Sequence, residues 1–125
     1  MRNLPDKILT EWEKKDGPVV LTTVDTQGVP NSIYVKYVSL YHGEKVLITD
    51  NYFEKTRQNI LDKSYGSVLF LTTDNRSYQI KGPLEYHTDG ELFADMTTWT
   101  PEKHPRHAVA VLVPEEVYSG SKKIV

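Results

Sequence analysis

Lys55 and Thr56 stand side by side where the sequence changes its period. Upstream, Val46, Leu47 and Ile48 form a short apolar run between polar residues, the pattern of a buried strand. Downstream, Phe53, Ile60 and Leu61 fall at helical spacing, with Lys55, Thr56 and Asn59 on another face. Between the two, Asp50 and Asn51 are residue types that open helices. A strand therefore runs into a short helix whose first turn carries an ammonium and a hydroxyl. Unpaired N–H groups and a partial positive charge make such a turn suitable for a phosphate. Lys55 adds a full charge and Thr56 a hydroxyl donor. Taken alone, the same residues also read as an ordinary solvated helix face.

Other chemistry has less support. The four histidines, His42, His87, His104 and His107, make no His-Glu-x-x-His or His-x-His pattern. With no cysteine there is no thiolate zinc site, no disulfide framework and no thiol nucleophile. His104-Pro105-Arg106-His107 reads as a surface loop. No Gly-x-Ser-x-Gly is present, so a serine–histidine–acid triad would have to be assembled in space. Neither nucleotide fingerprint, Gly-x-x-x-x-Gly-Lys-Ser/Thr or Gly-x-Gly-x-x-Gly, occurs.

A chain of 125 residues is expected to form one domain, 1–125, with a core large enough to fold without metal or disulfides. Its net charge is -2, and no basic run exceeds Lys122-Lys123. A nucleic-acid partner is therefore not expected. The opening Met1-Arg2-Asn3-Leu4-Pro5-Asp6 lacks the apolar centre of a signal peptide. The longest apolar run, Ala108 to Val113, is too short for a bilayer. The expected setting is the cytoplasm, without membrane contact.

The elements that must position Lys55 and Thr56 follow from punctuation and period. Leu4-Pro5-Asp6 opens a helix with Ile8, Leu9 and Trp12 on one face, and Glu13-Lys14-Lys15-Asp16-Gly17-Pro18 ends it, with glycine and proline as stop signals. Val19 to Val24 is a β-branched strand, Asp25-Thr26-Gln27-Gly28 a turn, and Asn31 to Leu40 a second strand. In that second strand Ile33, Val35 and Tyr37 share one face. After Lys45 to Asp50 and the short helix, Ser67 to Thr73 and Ser77 to His87 read as a hairpin. Gly82-Pro83 marks an edge or a bulge in its second arm. Thr88 and Glu91 have the spacing of a capping box before a helix that turns Leu92, Phe93 and Met96 inward. His107 to Val113 is the last clear strand, and 115–120 continues or turns. About six strands and three short helices without β-α-β alternation favour an antiparallel barrel or sandwich over a doubly wound sheet.

The order of these features resembles the FMN-binding split barrels, the superfamily of pyridoxamine-phosphate oxidase and small FMN-binding proteins. The residues that carry the likeness are Lys55-Thr56 with Asn59, and Ile80-Lys81-Gly82 followed by Thr88-Asp89-Gly90-Glu91-Leu92-Phe93. It spans about Val19 to Val113. The resemblance implies a mainly β fold, a six-stranded antiparallel Greek-key split barrel, paired as a homodimer with FMN at the interface. It implies a phosphate held by Lys55 and Thr56, with Asn59 nearby. The ring and ribityl chain would lie along Asn31, Ser32, Ile33 and Tyr34 and along Ile48, Thr49 and Asp50, mainly through main-chain groups. Trp99, His104 and Arg106 would reach it from the partner subunit.

Relatives that oxidise pyridoxamine phosphate carry extra basic residues and a longer C-terminal segment. This sequence has no such arginine cluster and ends at Val125, so that activity is not expected. The basic substitutions of deazaflavin-binding relatives are also missing, so FMN is the expected cofactor. Lys36 or Arg106 would add positive charge near the ring, and His104 is the residue placed to move a proton. The resulting expectation is an FMN-dependent oxidoreductase or electron carrier acting with a small-molecule redox substrate or electron donor. The alternative is a module that binds a flavin or another phosphate-bearing ligand without turnover.

Overall fold

A computed structural model describes residues 3–125. Met1 and Arg2, which open the stretch read for a signal peptide, lie outside it. The chain forms α1 (Asp6–Trp12), β1 (Val19–Val24), β2 (Pro30–Val35), β3 (Val38–Tyr41), β4 (Lys45–Asp50) and α2 (Lys55–Leu61). It continues through β5 (Tyr65–Leu71), β6 (Ser77–His87), α3 (Gly90–Trp99), β7 (Ala108–Leu112), β8 (Glu116–Ser119) and β9 (Lys122–Lys123).

All strand pairs are antiparallel, in the order β2-β1-β5-β6-β7-β4-β3, with β8 on β6 and β9 on β8. The sheet curls into a split barrel, mainly β, with three helices. Nine strands stand among the described residues where the sequence suggests about six. One reason is that Asn31 to Leu40 is two strands. β2 pairs with β1, whereas β3 pairs with β4. The alternation of side chains runs through the break at Lys36-Tyr37, so periodicity cannot reveal it. The others are the short β8 and β9, whose pairing is settled by contact with β6 rather than by their own pattern.

β6 joins the two halves of the barrel. Its residues 77–83 pair with β5 and 84–87 with β7. Gly82-Pro83 is thus where the strand passes from one half to the other, and of the edge or bulge expected there the edge is excluded. A side chain at Gly82 has no room, because a Cβ there would lie 1.8 Å from the Val113 carbonyl oxygen. The Pro83 carbonyl accepts from the Val113 N–H at 3.0 Å, which ties the corner to the end of β7.

The core has two parts. Leu4, Ile8 and Trp12 close the barrel around Leu21, Phe70, Tyr78, Ile80 and Leu112. Met96, Leu92, Phe93 and Trp99 of α3 cover Leu47, Val109 and Val111 on the outer side. β7 is buried along its whole length because the barrel lies on one face and α3 on the other. α3 begins one turn position later than the capping-box pattern suggests. Its N-cap is Asp89, and no side chain caps it, so the Thr88–Glu91 box does not form.

Candidate functional site

A concave cleft of about 400 Å³ opens where β2 gives way to β3. Ile33, Tyr34, Val35, Lys36 and Tyr37 form one wall; Thr49, Asn51, Tyr52 and Phe53 form the other; His104 closes one end. Val35, Thr49, Asn51 and Phe53 are buried and make the floor, whereas Tyr34 and Tyr52 are 78% and 73% exposed and make the rim. A volume in this range suits a small ligand. The end at His104 is fixed by Tyr37, whose hydroxyl lies 3.1 Å from His104 Nε2. His104 Nδ1 is buried with no hydrogen-bond partner among the described residues.

The second wall is held from behind by a buried ion pair. Asp50 has no exposed surface. Its carboxylate accepts from Arg57 Nε at 2.7 Å and Nη2 at 3.1 Å, a two-pronged contact. It also accepts from the Tyr86 hydroxyl at 2.5 Å and the Phe53 N–H at 2.9 Å. The carboxylate raises the guanidinium of Arg57, and burial together with Asp50 pushes the Tyr86 phenol up to about 12. Both groups are anchored by Asp50, Arg57 through Nε and Nη2 and Tyr86 through its hydroxyl.

The residues singled out in the sequence divide among several places. Ile33, Tyr34, Thr49 and His104 line the cleft. Ile48 faces the core and Asp50 faces Arg57, so the Ile48–Asp50 segment offers the cleft one side chain, Thr49. Its main chain is engaged as well: the Thr49 N–H donates to the Tyr37 carbonyl, and the Asp50 carbonyl accepts from His107. Ser32 is exposed and shares a 2.8 Å hydrogen bond with Thr22. Asn31 Nδ2 donates to Thr56 Oγ1 at 3.1 Å, joining β2 to the start of α2.

Thr56 is only 1% exposed, whereas the Lys55 side chain is 57% exposed and its ammonium lies 3.8 Å from Asp25. Asn59 is buried and donates to Thr23. Trp99 and Arg106 do not line the cleft of their own chain. Trp99 packs under α3 with Nε1 on Asp95, and Arg106 approaches the Thr97 carbonyl while its N–H donates to Asn51.

Five lining residues had no mark in the sequence: Val35, Tyr37, Asn51, Tyr52 and Phe53. Tyr37 and Val35 carried one usable signal, their shared face with Ile33. Asn51 to Phe53 follow the strand without regular structure, and they are held by the Phe53 N–H on Asp50 and the Arg106 N–H on Asn51.

Arg57→Ala leaves the buried Asp50 carboxylate without its cation, and a loss of about 3–5 kcal/mol is expected, measured by urea unfolding. A loss below about 1 kcal/mol would show that the pair is not what holds α2 down. Alkaline pH tests Tyr86. Its folded value is raised to about 12 from 10.0, so the phenol favours the folded state fully below pH 10. That contribution falls as pH rises through 12. Tyr86→Phe, which cannot ionise, should remove this part of the alkaline unfolding curve; an unchanged curve would assign it to other groups.

The sequence profile described as pyridoxamine 5'-phosphate oxidase matches residues 4–121. An uncharacterized protein of Methanocaldococcus jannaschii is 30% identical over 103 residues, covering 78% of this chain and 69% of that protein. Among solved structures, a putative pyridoxamine 5'-phosphate oxidase from Lactobacillus delbrueckii superposes with a TM-score of 0.77 at 18% identity, covering 94% of this chain and 95% of that one. An FMN-binding protein from Syntrophomonas wolfei superposes with a TM-score of 0.72 at 16% identity, covering 93% and 96%. At these identities the superpositions speak to the fold, and the fold is the same split barrel. With the profile spanning nearly the whole chain, the protein belongs to the pyridoxamine 5'-phosphate oxidase family.

Proposed function

We propose that the cleft holds FMN and that the protein is a flavin-dependent oxidoreductase or electron carrier. The observation that carries this reading is the shape and direction of the cleft. Val35 and Phe53 of its floor offer apolar surface to a flat ring, and β2 leads from it to Asn31, Thr56 and Lys55. From Val35 back to Asn31 β2 covers roughly 13 Å at about 3.3 Å per residue, room for a phosphorylated tail that leaves a ring seated against Val35. The flavin, when bound, supplies the redox chemistry. The chain's own residues bind and orient it: Val35 and Phe53 beneath the ring, Thr49 and Tyr37 at its edge, Lys55 at the phosphate. Thr56 acts through its hydrogen bond to Asn31, which keeps the end of β2 against α2.

The pairing of two copies belongs to the same reading. Tyr34, Val20 and Leu69 stand in register across β2, β1 and β5, with Leu71 beside them. Leu69 and Leu71 are 40% and 44% exposed, and no described element covers them. The opposite sheet has α3 over it; this one would be covered by a second copy. A homodimer burying more than about 2,000 Å² is expected. Light scattering that found only the 14.3 kDa chain at micromolar concentration would overturn it.

FMN titration followed by absorbance tests the cofactor. Lys55→Ala should weaken FMN about tenfold, roughly 1.4 kcal/mol, because Lys55 is half in water and shared with Asp25. Riboflavin, which lacks the phosphate, should bind both proteins alike. Equal weakening of the two ligands would move the phosphate elsewhere, and no uptake of FMN by the wild type would end the reading. Reduction of the bound flavin by a nicotinamide nucleotide separates an oxidoreductase from a module that only binds flavin.

A further inference from the structure

The rim of the cleft carries a charge pattern that flavin binding leaves unused. Its lining residues include no carboxylate. The single fully charged side chain is Lys36, which is exposed and enters none of the salt bridges among the described residues. Tyr52 stands exposed on the facing wall, with the His104 ring nearly perpendicular to it at 6.3 Å. An ammonium without a salt-bridge partner on one wall and an exposed aromatic ring on the other can attract different parts of one ligand that lies across the cleft.

We infer that this rim takes a small aromatic monoanion, a carboxylate on a flat ring, as the molecule that meets the cofactor. This rests on the flavin reading, for which it names the class of substrate. The ring of the ligand lies against Tyr52 and its carboxylate against Lys36. One lysine, with no arginine fork beside it, matches one negative charge. A dianionic phosphate would bring a second charge that no other lysine or arginine of the lining meets. An amine would meet Lys36 as a like charge and is disfavoured.

Calorimetric titration of the FMN-loaded protein with benzoate, benzamide, benzylamine and phenyl phosphate at low salt tests this. Benzoate should bind about fivefold tighter than benzamide, the effect of one half-exposed charge contact, and benzylamine weakest. Lys36→Gln should abolish the preference for benzoate over benzamide, and salt near 0.15 M, where the Debye length is about 8 Å, should reduce it. Tyr52→Leu should weaken benzoate and benzamide by the same factor. Equal binding of benzoate and benzamide, tightest binding by phenyl phosphate, or a preference that survives Lys36→Gln would each overturn the inference. Conversion of a dimer to monomers by Lys36→Gln would overturn it too, by assigning Lys36 to contact between copies. FMN uptake is read separately from the absorption spectrum. Its absence would end the flavin reading, and the benzoate–benzamide comparison on the unloaded protein would still decide whether the rim selects anions.

Discussion

The buried carboxylate of Asp50 is the point on which the cleft depends. α2 has seven residues and no side-chain cap, and a helix that short does not persist on its own in water. Arg57 fixes it to the end of β4, Asn59 fixes it to Thr23 of β1, and Ile60 enters the core. The same carboxylate holds the Phe53 N–H, and so sets the path of the chain from β4 into α2. That path is one wall of the cleft. A charge with no exposed surface is costly unless every oxygen is met by a donor. Both oxygens of Asp50 are met, from β6, α2 and the connecting loop. The cost of burial thereby becomes a constraint on position: the three segments cannot move apart without exposing or orphaning the charge.

The split of the barrel makes the opposite wall. A strand that continued from β2 into β3 without a break would serve a single half-sheet. The chain instead turns at Lys36-Tyr37, and the Tyr37 carbonyl takes the Thr49 N–H, which gives that acceptor a partner at the turn. The gap between the halves becomes a concavity with a buried floor. Its far end is shut by Tyr37 and His104, which come from segments 67 positions apart. β6 supplies the rigidity this opening needs. It runs through both halves, and its corner at Gly82 is pressed so close to Val113 that only a residue without a side chain fits.

Coverage of the sheet is uneven. α3 lies across β4 and β7 and turns Val109 and Val111 into core. The outer face of β1 and β5 has no such lid, and Leu69 and Leu71 stay exposed there. Burial separates the two more than sequence does: β7 is buried at every position, while β5 alternates although its Val68-Leu69-Phe70-Leu71 run is apolar throughout. An unbroken apolar strand is suited to two covered faces. β7 has both within the chain, and β5 has one.

Local physics was enough for much of this chain. β1 and β4 lie where their β-branched and apolar runs do, and α1 and α3 follow from helical spacing, although α1 ends at Trp12, ahead of the Gly17-Pro18 stop. The loop from β4 to α2 was legible as a strand meeting a helix with Lys55 and Thr56 in its first turn. What sequence alone could not provide depends on contacts between distant segments. The break in Asn31 to Leu40 depends on which neighbour each half pairs with. Asp50 looked like a turn residue open to a ligand, and only the approach of Arg57 and Tyr86 closes it off. Thr56 is withdrawn from the surface because Asn31 reaches it across 25 positions. Tyr37, Tyr52 and His104 meet at one cleft for the same reason: period and propensity act over a few residues, whereas a cleft is made by strands that pair only once the sheet has curled.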